Sequence, residues 1–331
     1  MIISRTPFRI SFFGGGTDYP VWYKHHKGAI LATSINKYCY ITCRFLPPFF
    51  EHKYRVVYSV VENTKKISEI KHPAVRETLK YMKIKRGVEL HHDGDLPARA
   101  GLGTSSSFTV GLINALHALQ GKMITKRQLA LDAINVEQNM IKENVGSQDQ
   151  ITAAFGGFNK IEFDVDEEFK IYPVTIKNNR LKLLQDHMML FFTGFSRTAS
   201  KIAQEQIKKT PEREKELKRM AEMVDEAINI LNESSSDLND FGRLLHETWM
   251  IKRKLTSKIT NDTIDKIYDK AIKAGAIGGK LLGAGGGGFI LFFVNPSDQK
   301  KIKDSLKNLL YVPFRFENLG SQIIYYTRSD Q

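Results

Sequence analysis

The stretch Leu96-Pro97-Ala98-Arg99-Ala100-Gly101-Leu102-Gly103-Thr104-Ser105-Ser106-Ser107 decides how this chain is read. It follows a strand-like run, Val88 to His92, and leads into a helical pattern, Ser106 to Gln120. There Leu112, Leu116 and Leu119 share one face, and Gly121 marks the stop. Glycine lets backbone N–H groups close around an oxyanion without interference from Cβ. A helix start adds N–H groups with no intrahelical acceptor and the positive end of the dipole. Together these are the parts of a phosphate cradle. Ser and Thr hydroxyls at that point can cap the helix or hold a hydrated Mg²⁺. No Gly-Lys-[Ser/Thr] follows, so the loop is not a Walker A motif. The plainer alternative is a capped helix start after a turn, and phosphate binding is the preferred reading of the loop.

The 331 residues suit two domains, and 42% hydrophobic and 10% aromatic content is ordinary for a globular chain. No apolar run is long enough to span a bilayer, and the first residues lack a signal-peptide core. The expectation is a cytoplasmic protein with no membrane partner. A net charge of +13 raises the question of nucleic acid. The basic residues are scattered and interleaved with acids, as in Thr210 to Glu226, and no recognition motif accompanies them. The charge is read instead as a solvated surface that draws anionic small substrates, with no nucleic-acid partner. Cys39 and Cys43 lie four apart in one strand-like run, on one face but too distant for a disulfide, and are read as buried thiols.

Strand patterns run Ile2-Ile3, Phe8 to Phe13, Ile30 to Ile35, Tyr38 to Phe45 and Tyr54 to Val60. A helix follows over His72 to Met82 and a second long helix over Lys126 to Glu143. Gly156-Gly157 turns into the strand pair Phe158 to Phe163 and Phe169 to Val174. The pattern loosens around Asn178 to Gln185, which places a boundary between domains 1–183 and 184–331. Beyond it come a strand (His187 to Thr193), a helical block (Arg197 to Ala274), a strand (Phe289 to Val294), a helix (Pro296 to Leu310) and a last strand (Ile323 to Thr327). Strands and helices segregate into blocks, which predicts two α+β domains.

Three further constellations carry possible chemistry. In Phe13-Gly14-Gly15-Gly16-Thr17-Asp18-Tyr19 an alternating strand meets three glycines and a carboxylate. This is a close backbone approach with Asp18 as acceptor for sugar hydroxyls, or simply a hairpin turn. Glu137 and Asp149 offer two carboxylates that can divide the work of holding a cation and taking a proton. Individually, they are also a solvated helix face and a dipole-favoured helix start. Gly278 to Phe289 contains the G-x-G-x-x-G spacing at Gly283, Gly285 and Gly288. A dinucleotide site is rejected, because a helix is read before it and a strand after it. His91-His92 ends a strand with no partner at metal-ligand spacing.

In this order, the features resemble the GHMP kinase superfamily over nearly the whole chain. The resemblance implies a ribosomal-S5-like N-terminal domain, a ferredoxin-like C-terminal domain, and ATP- and Mg²⁺-dependent phosphorylation of a small-molecule hydroxyl in the cleft between them. It implies an ATP site at Pro97, Arg99, Ala100, Gly101, Leu102, Gly103, Thr104, Ser105 and Ser106. It further implies Mg²⁺ ligands Ser105 and Glu137, a general base at Asp149 and a cation, Arg9, beside it. The implied substrate-binding residues are Gly15, Gly16, Thr17, Asp18, Gly285 and Gly286. Galactokinases carry Glu-His where Gly15 and Gly16 stand here. The exchange adds room and removes a negative charge that would repel a phosphorylated sugar. Thr6 to Tyr19 together with Val145 to Gln150 look most like the D-glycero-D-manno-heptose 7-phosphate kinases, with Arg197 and Lys280 as candidates for holding the distal phosphate. Competing expectations are a kinase of an unphosphorylated sugar (fucose, galactose, arabinose or a uronic acid) and a silent sugar sensor. Arg9, Ser105, Glu137 and Asp149 together argue against the sensor.

Overall fold

The computed structural model describes all residues except 99, 196–198, 234 and 328–331, and of residue 199 the backbone alone. The chain opens on β1 (Ile2–Phe13), followed by α1 (Pro20–Tyr23) and the 18-residue β2 (Gly28–Phe45), antiparallel to β1. Each of these strands merges two runs that the sequence pattern separates. The break is a register shift at Pro7, where a residue without an N–H is tolerated. After β3 (Tyr54–Val57), β4 (Val61–Thr64) and α2 (Pro73–Tyr81), β5 (Val88–Gly94) runs antiparallel to β2 and parallel to β3. Then α3 (Thr104–Leu119) lies across β1 and β2, almost wholly buried. The helix expected over Lys126 to Glu143 is α4 (Lys126–Ile134) continued by a wider π-helical turn, Asn135–Ile141. Such widened turns often mark functional positions, and this one carries Glu137. The unit continues with α5 (Gln148–Phe155), β6 (Phe158–Phe163) on β2, β7 (Phe169–Pro173) and α6 (Asn178–Asp186). That last helix occupies the stretch read as a loosened pattern. It is polar, and Leu184 is its only buried residue.

The second unit begins with β8 (Met188–Phe192) and the helices α7 (Ala199–Lys209), α8 (Glu214–Asn232), α9 (Asn239–Leu255) and α10 (Asp262–Lys273). It ends with β9 (Ala276–Leu281), β10 (Phe289–Val294), α11 (Gln299–Ser305) and β11 (Leu310–Tyr311). The sheet order is β11-β8-β10-β9, all antiparallel. α8 is amphipathic, burying Leu217, Met220, Met223, Val224, Ala227 and Leu231, and it reaches from α9 to β1 and β2. Phe241 of α9 meets Phe13 and Phe12 edge-on, with ring centroids 5.0 and 5.6 Å apart, so one apolar cluster joins the two units.

Two expectations are corrected. The run before the last glycine loop contains a strand, β9, rather than only a helix. A second strand follows the loop, so the dinucleotide fingerprint still lacks its helix. The division into 1–183 and 184–331 also differs from the strand pairing. β12 (Phe316–Glu317) pairs with β2, and β13 (Gln322–Tyr326) pairs with β1, so the chain's end completes the first sheet. Cys39 and Cys43 are buried free thiols, and burial pushes the Cys43 thiol up to about 12.

Candidate active site

Segments distant in sequence converge on a cleft of about 220 Å³ between the units. The first is the loop before α3. Gly103 takes a left-handed conformation (φ 71°), and the first bond of the helix runs from Ser107 N to Gly103 O, 2.9 Å. The open first turn therefore faces the cleft, which Gly101, Gly103, Thr104, Ser105 and Ser106 line. The loop is braced by the last glycine run. A Cβ on Gly101 would stand 2.5 Å from Leu282 O, and one on Gly283 2.5 Å from Gly101 Cα. Phe289 N donates to Ala100 O at 3.1 Å.

Arg9 is the second element. Its guanidinium donates from Nε to Asp149 Oδ1 at 2.7 Å and from Nη2 to Asp149 Oδ2 at 2.8 Å, a two-point fork. Nη1 donates to Gly101 O at 2.8 Å, and the Arg9 backbone N–H to Leu102 O at 3.0 Å. One side chain thus ties β1, the glycine loop and the first turn of α5 together. Asp18 lies in the same cleft, buried, accepting from Gly16 N at 3.0 Å. Burial, and then the nearby Asp149 charge, push its carboxyl above the ordinary range.

Behind the loop, Ser106 Oγ donates to Glu137 Oε2 at 2.8 Å, and Gln150 donates to the same oxygen. Glu137 Oε1 is buried with no hydrogen-bond partner among the described residues. Burial pushes the Glu137 carboxyl up to about 7, against the pull of the Thr109 and Ser106 hydroxyls. A carboxylate oxygen left bare in the interior is a position suited to a cation.

Several expected site residues sit elsewhere. Ser106, not Ser105, meets Glu137; Ser105 is exposed at the cleft. Thr17 is wholly buried, with its hydroxyl 2.8 Å from Gly14 O and 3.0 Å from Ala29 O, so it holds the turn rather than a substrate. Gly285 and Gly286 are buried against Ile259, Gly286 N donating to Ile259 O at 2.8 Å. Gly283 and Ala284 line the cleft instead. Ala100 and Leu102 point into the core and Pro97 is exposed away from the cleft, whereas Gly15, Gly16 and Asp18 line it. Arg99 and Arg197 lie outside the described residues. Lys280 lines the cleft but is 2% exposed, and its ammonium donates to Phe12 O at 2.7 Å.

Sequence reading missed Lys252. It is buried in the cleft wall, donating to Gly283 O at 2.6 Å and Leu281 O at 3.2 Å. A signal existed: position 252 falls on the apolar stripe of α9, with Phe241, Leu245, Trp249 and Leu255. A lysine in such a stripe is ordinarily assigned to the solvent side.

Comparison with known proteins agrees with this geometry. The GHMP kinase N-terminal domain model matches residues 67–157 and the GHMP kinase C-terminal model residues 197–312. A D-glycero-alpha-D-manno-heptose 7-phosphate kinase of Campylobacter jejuni is 30% identical over 92% of this chain and 93% of its own length. The crystal structure of a D-glycero-D-manno-heptose 1-phosphate kinase from Bacteroides thetaiotaomicron superposes with a TM-score of 0.78 at 24% identity, covering 99% of this chain and all of that one. A putative sugar kinase structure from Campylobacter jejuni gives 0.70 at 25% identity, covering 98% of each chain. With the open helix start, the Arg9–Asp149 fork and the bracing glycine run assembled in one cleft, and both halves of the family matched, the chain belongs to the GHMP kinases, ATP-dependent kinases of small molecules.

Proposed function

We propose that this kinase transfers the γ-phosphoryl group of ATP to the C1 hydroxyl of D-glycero-D-manno-heptose 7-phosphate. The product is the 1,7-bisphosphate, on the route to GDP-activated heptose for bacterial surface glycans. The observation that carries the reading is the Arg9–Asp149 fork beside the open turn of α3. The first turn cradles the nucleotide phosphates. Asp149 keeps lone pairs beyond those facing Arg9 and receives the proton of the C1 hydroxyl. The hydroxyl oxygen bonds to phosphorus, the bond from phosphorus to the bridging oxygen breaks, and ADP leaves with that electron pair. Arg9 orients Asp149 through the two-point fork and faces the charge that builds up.

Glu137 with Ser106 or Ser105 fits Mg²⁺, which takes one or two carboxylates, hydroxyls and substrate phosphates rather than an all-protein cage. When bound, the ion would neutralise nucleotide phosphate charge. Asp18 and the open space at Gly15 accommodate the sugar. The likeness to the heptose 7-phosphate kinase at 30% identity supports the choice of substrate. ³¹P NMR of the protein with Mg·ATP and the heptose 7-phosphate, beside galactose, L-fucose and mannose, tests it. A new anomeric phosphate signal with ADP in the heptose tube alone is expected. Turnover of a free sugar instead would overturn the reading.

A further inference from the structure

The cleft wall contributed by the second unit holds two lysines that burial alone makes costly. An ammonium removed from water is heavily penalised unless it is paired. Neither lysine has an ion pair among the described residues. Lys252 donates to two carbonyls, Leu281 O and Gly283 O, and Lys280 to one, Phe12 O. An ammonium has three N–H donors, so one is left on Lys252 and two on Lys280.

Their placement comes from backbone packing. A Cβ on Gly278 would stand 2.0 Å from Gly242 O, so α9 lies flush on β9. That contact carries Lys252 to the end of β9, where Lys280 projects into the same cleft. Three cations, Arg9, Lys252 and Lys280, and three carboxylates, Asp18, Glu143 and Asp149, line the cleft, and none of the carboxylates forms an ion pair with either lysine among the described residues. Asp149 is engaged by its fork with Arg9, and Asp18 is buried without an ion pair among the described residues. Both lysines are held below the ordinary range, by burial first, then by Arg9 for Lys252 and by Lys252 for Lys280. The two lysines therefore keep N–H donors with no ion pair among the described residues, in a cleft where the start of α3 is a separate element.

We propose that the ammonium groups of Lys252 and Lys280 form an anion subsite that holds one phosphate dianion beyond those cradled by α3. Two sources share this chemistry: the phosphate the sugar already carries, and the phosphoryl group in transfer. Only the choice between them rests on the substrate assignment above.

Isothermal titration of inorganic phosphate into protein saturated with Mg·ADP tests the subsite without any sugar. One phosphate is expected to bind the wild type, and K252M and K280M each to weaken it at least tenfold. No phosphate uptake by the wild type, or equal uptake by the variants, overturns the proposal. Methionine fills similar volume without the ion's burial penalty, so thermal unfolding no lower than wild type is expected. Should one variant fail to fold, the other carries the test. Steady-state kinetics identify the source. A tenfold rise in KM for the sugar phosphate, with kcat and the KM for ATP unchanged, assigns the subsite to the sugar's phosphate. A fall in kcat with KM unchanged assigns it to the transferred group. If the wild type binds phosphate in this way but does not turn over the heptose phosphate, the substrate assignment fails and the subsite stands.

Discussion

Replacing Asp149 by asparagine removes a charge whose partner has little access to water. The Arg9 side chain is 4% exposed and that of Asp149 25% exposed, so the two ends of the fork respond differently to loss of the other. In D149N the guanidinium keeps one acceptor, Gly101 O at 2.8 Å, and faces an amide that can accept through a single oxygen. Breaking a buried pair from one side costs about 3–5 kcal/mol, and the retained carbonyl bond places this case near 3 kcal/mol. In R9M the stranded group is the carboxylate, a quarter open to solvent, so the loss is about 1–2 kcal/mol. D149N is thus expected to melt several degrees lower than R9M, with each variant's transition followed at pH 7 without nucleotide. Activity should fall about 10²–10⁴-fold in D149N, the range for losing a positioned base. A D149N protein that melts with the wild type and keeps its kcat within a few-fold would refute both the fork's structural part and the base assignment.

Three further outcomes are expected. S106A should raise the Mg²⁺ concentration for half-maximal rate at least tenfold while S105A changes it less, because of these two serines it is Ser106 that donates to Glu137; equal effects would return the pairing to Ser105. G101A puts a methyl group 2.5 Å from Leu282 O at a φ of 83°, so the KM for ATP should rise at least tenfold and the melting temperature fall, and an unchanged KM would deny the brace a part in nucleotide binding. Lys252 is held at about 8, below its ordinary 10.5, so between those values the unfolded chain binds more protons than the folded one. Stability should accordingly rise with pH across that window, by on the order of 3 kcal/mol from this group, and K252M should show a flatter rise in a urea series from pH 7.5 to 10; an unchanged slope would show that Lys252 is not depressed.

Much of the site was legible because its signals are local. The loop before α3 needs only glycines, hydroxyls and a following helix to be recognised. The triple glycine before Asp18 and the run from Gly283 to Gly288 are likewise contiguous. The glycine roles were less legible: Gly283 and Gly285 look alike in sequence, yet one lines the cleft and the other packs on Ile259. The same holds for Ser105 and Ser106, neighbours whose side chains a helix turns about 100° apart, so that only one reaches Glu137. β9 was hidden because Gly278-Gly279-Lys280 has no β-branched or aromatic residue, and its strand conformation is imposed by pairing with β10.

By itself, the sequence determined the class of chain, the glycine- and hydroxyl-rich helix start and the residue types that phosphoryl transfer requires, since these depend on spacing within one segment. The tertiary structure decided which of those residues meet. Arg9 and Asp149 are 140 positions apart, and only the crossing of β1 with the start of α5 makes them a pair. The chain's end belongs to the first sheet because β13 hydrogen-bonds to β1. Lys252 and Lys280 became buried cations through a glycine contact that draws α9 onto β9. Burial is a property of what packs around a residue, and no spacing rule within a helix or strand contains it.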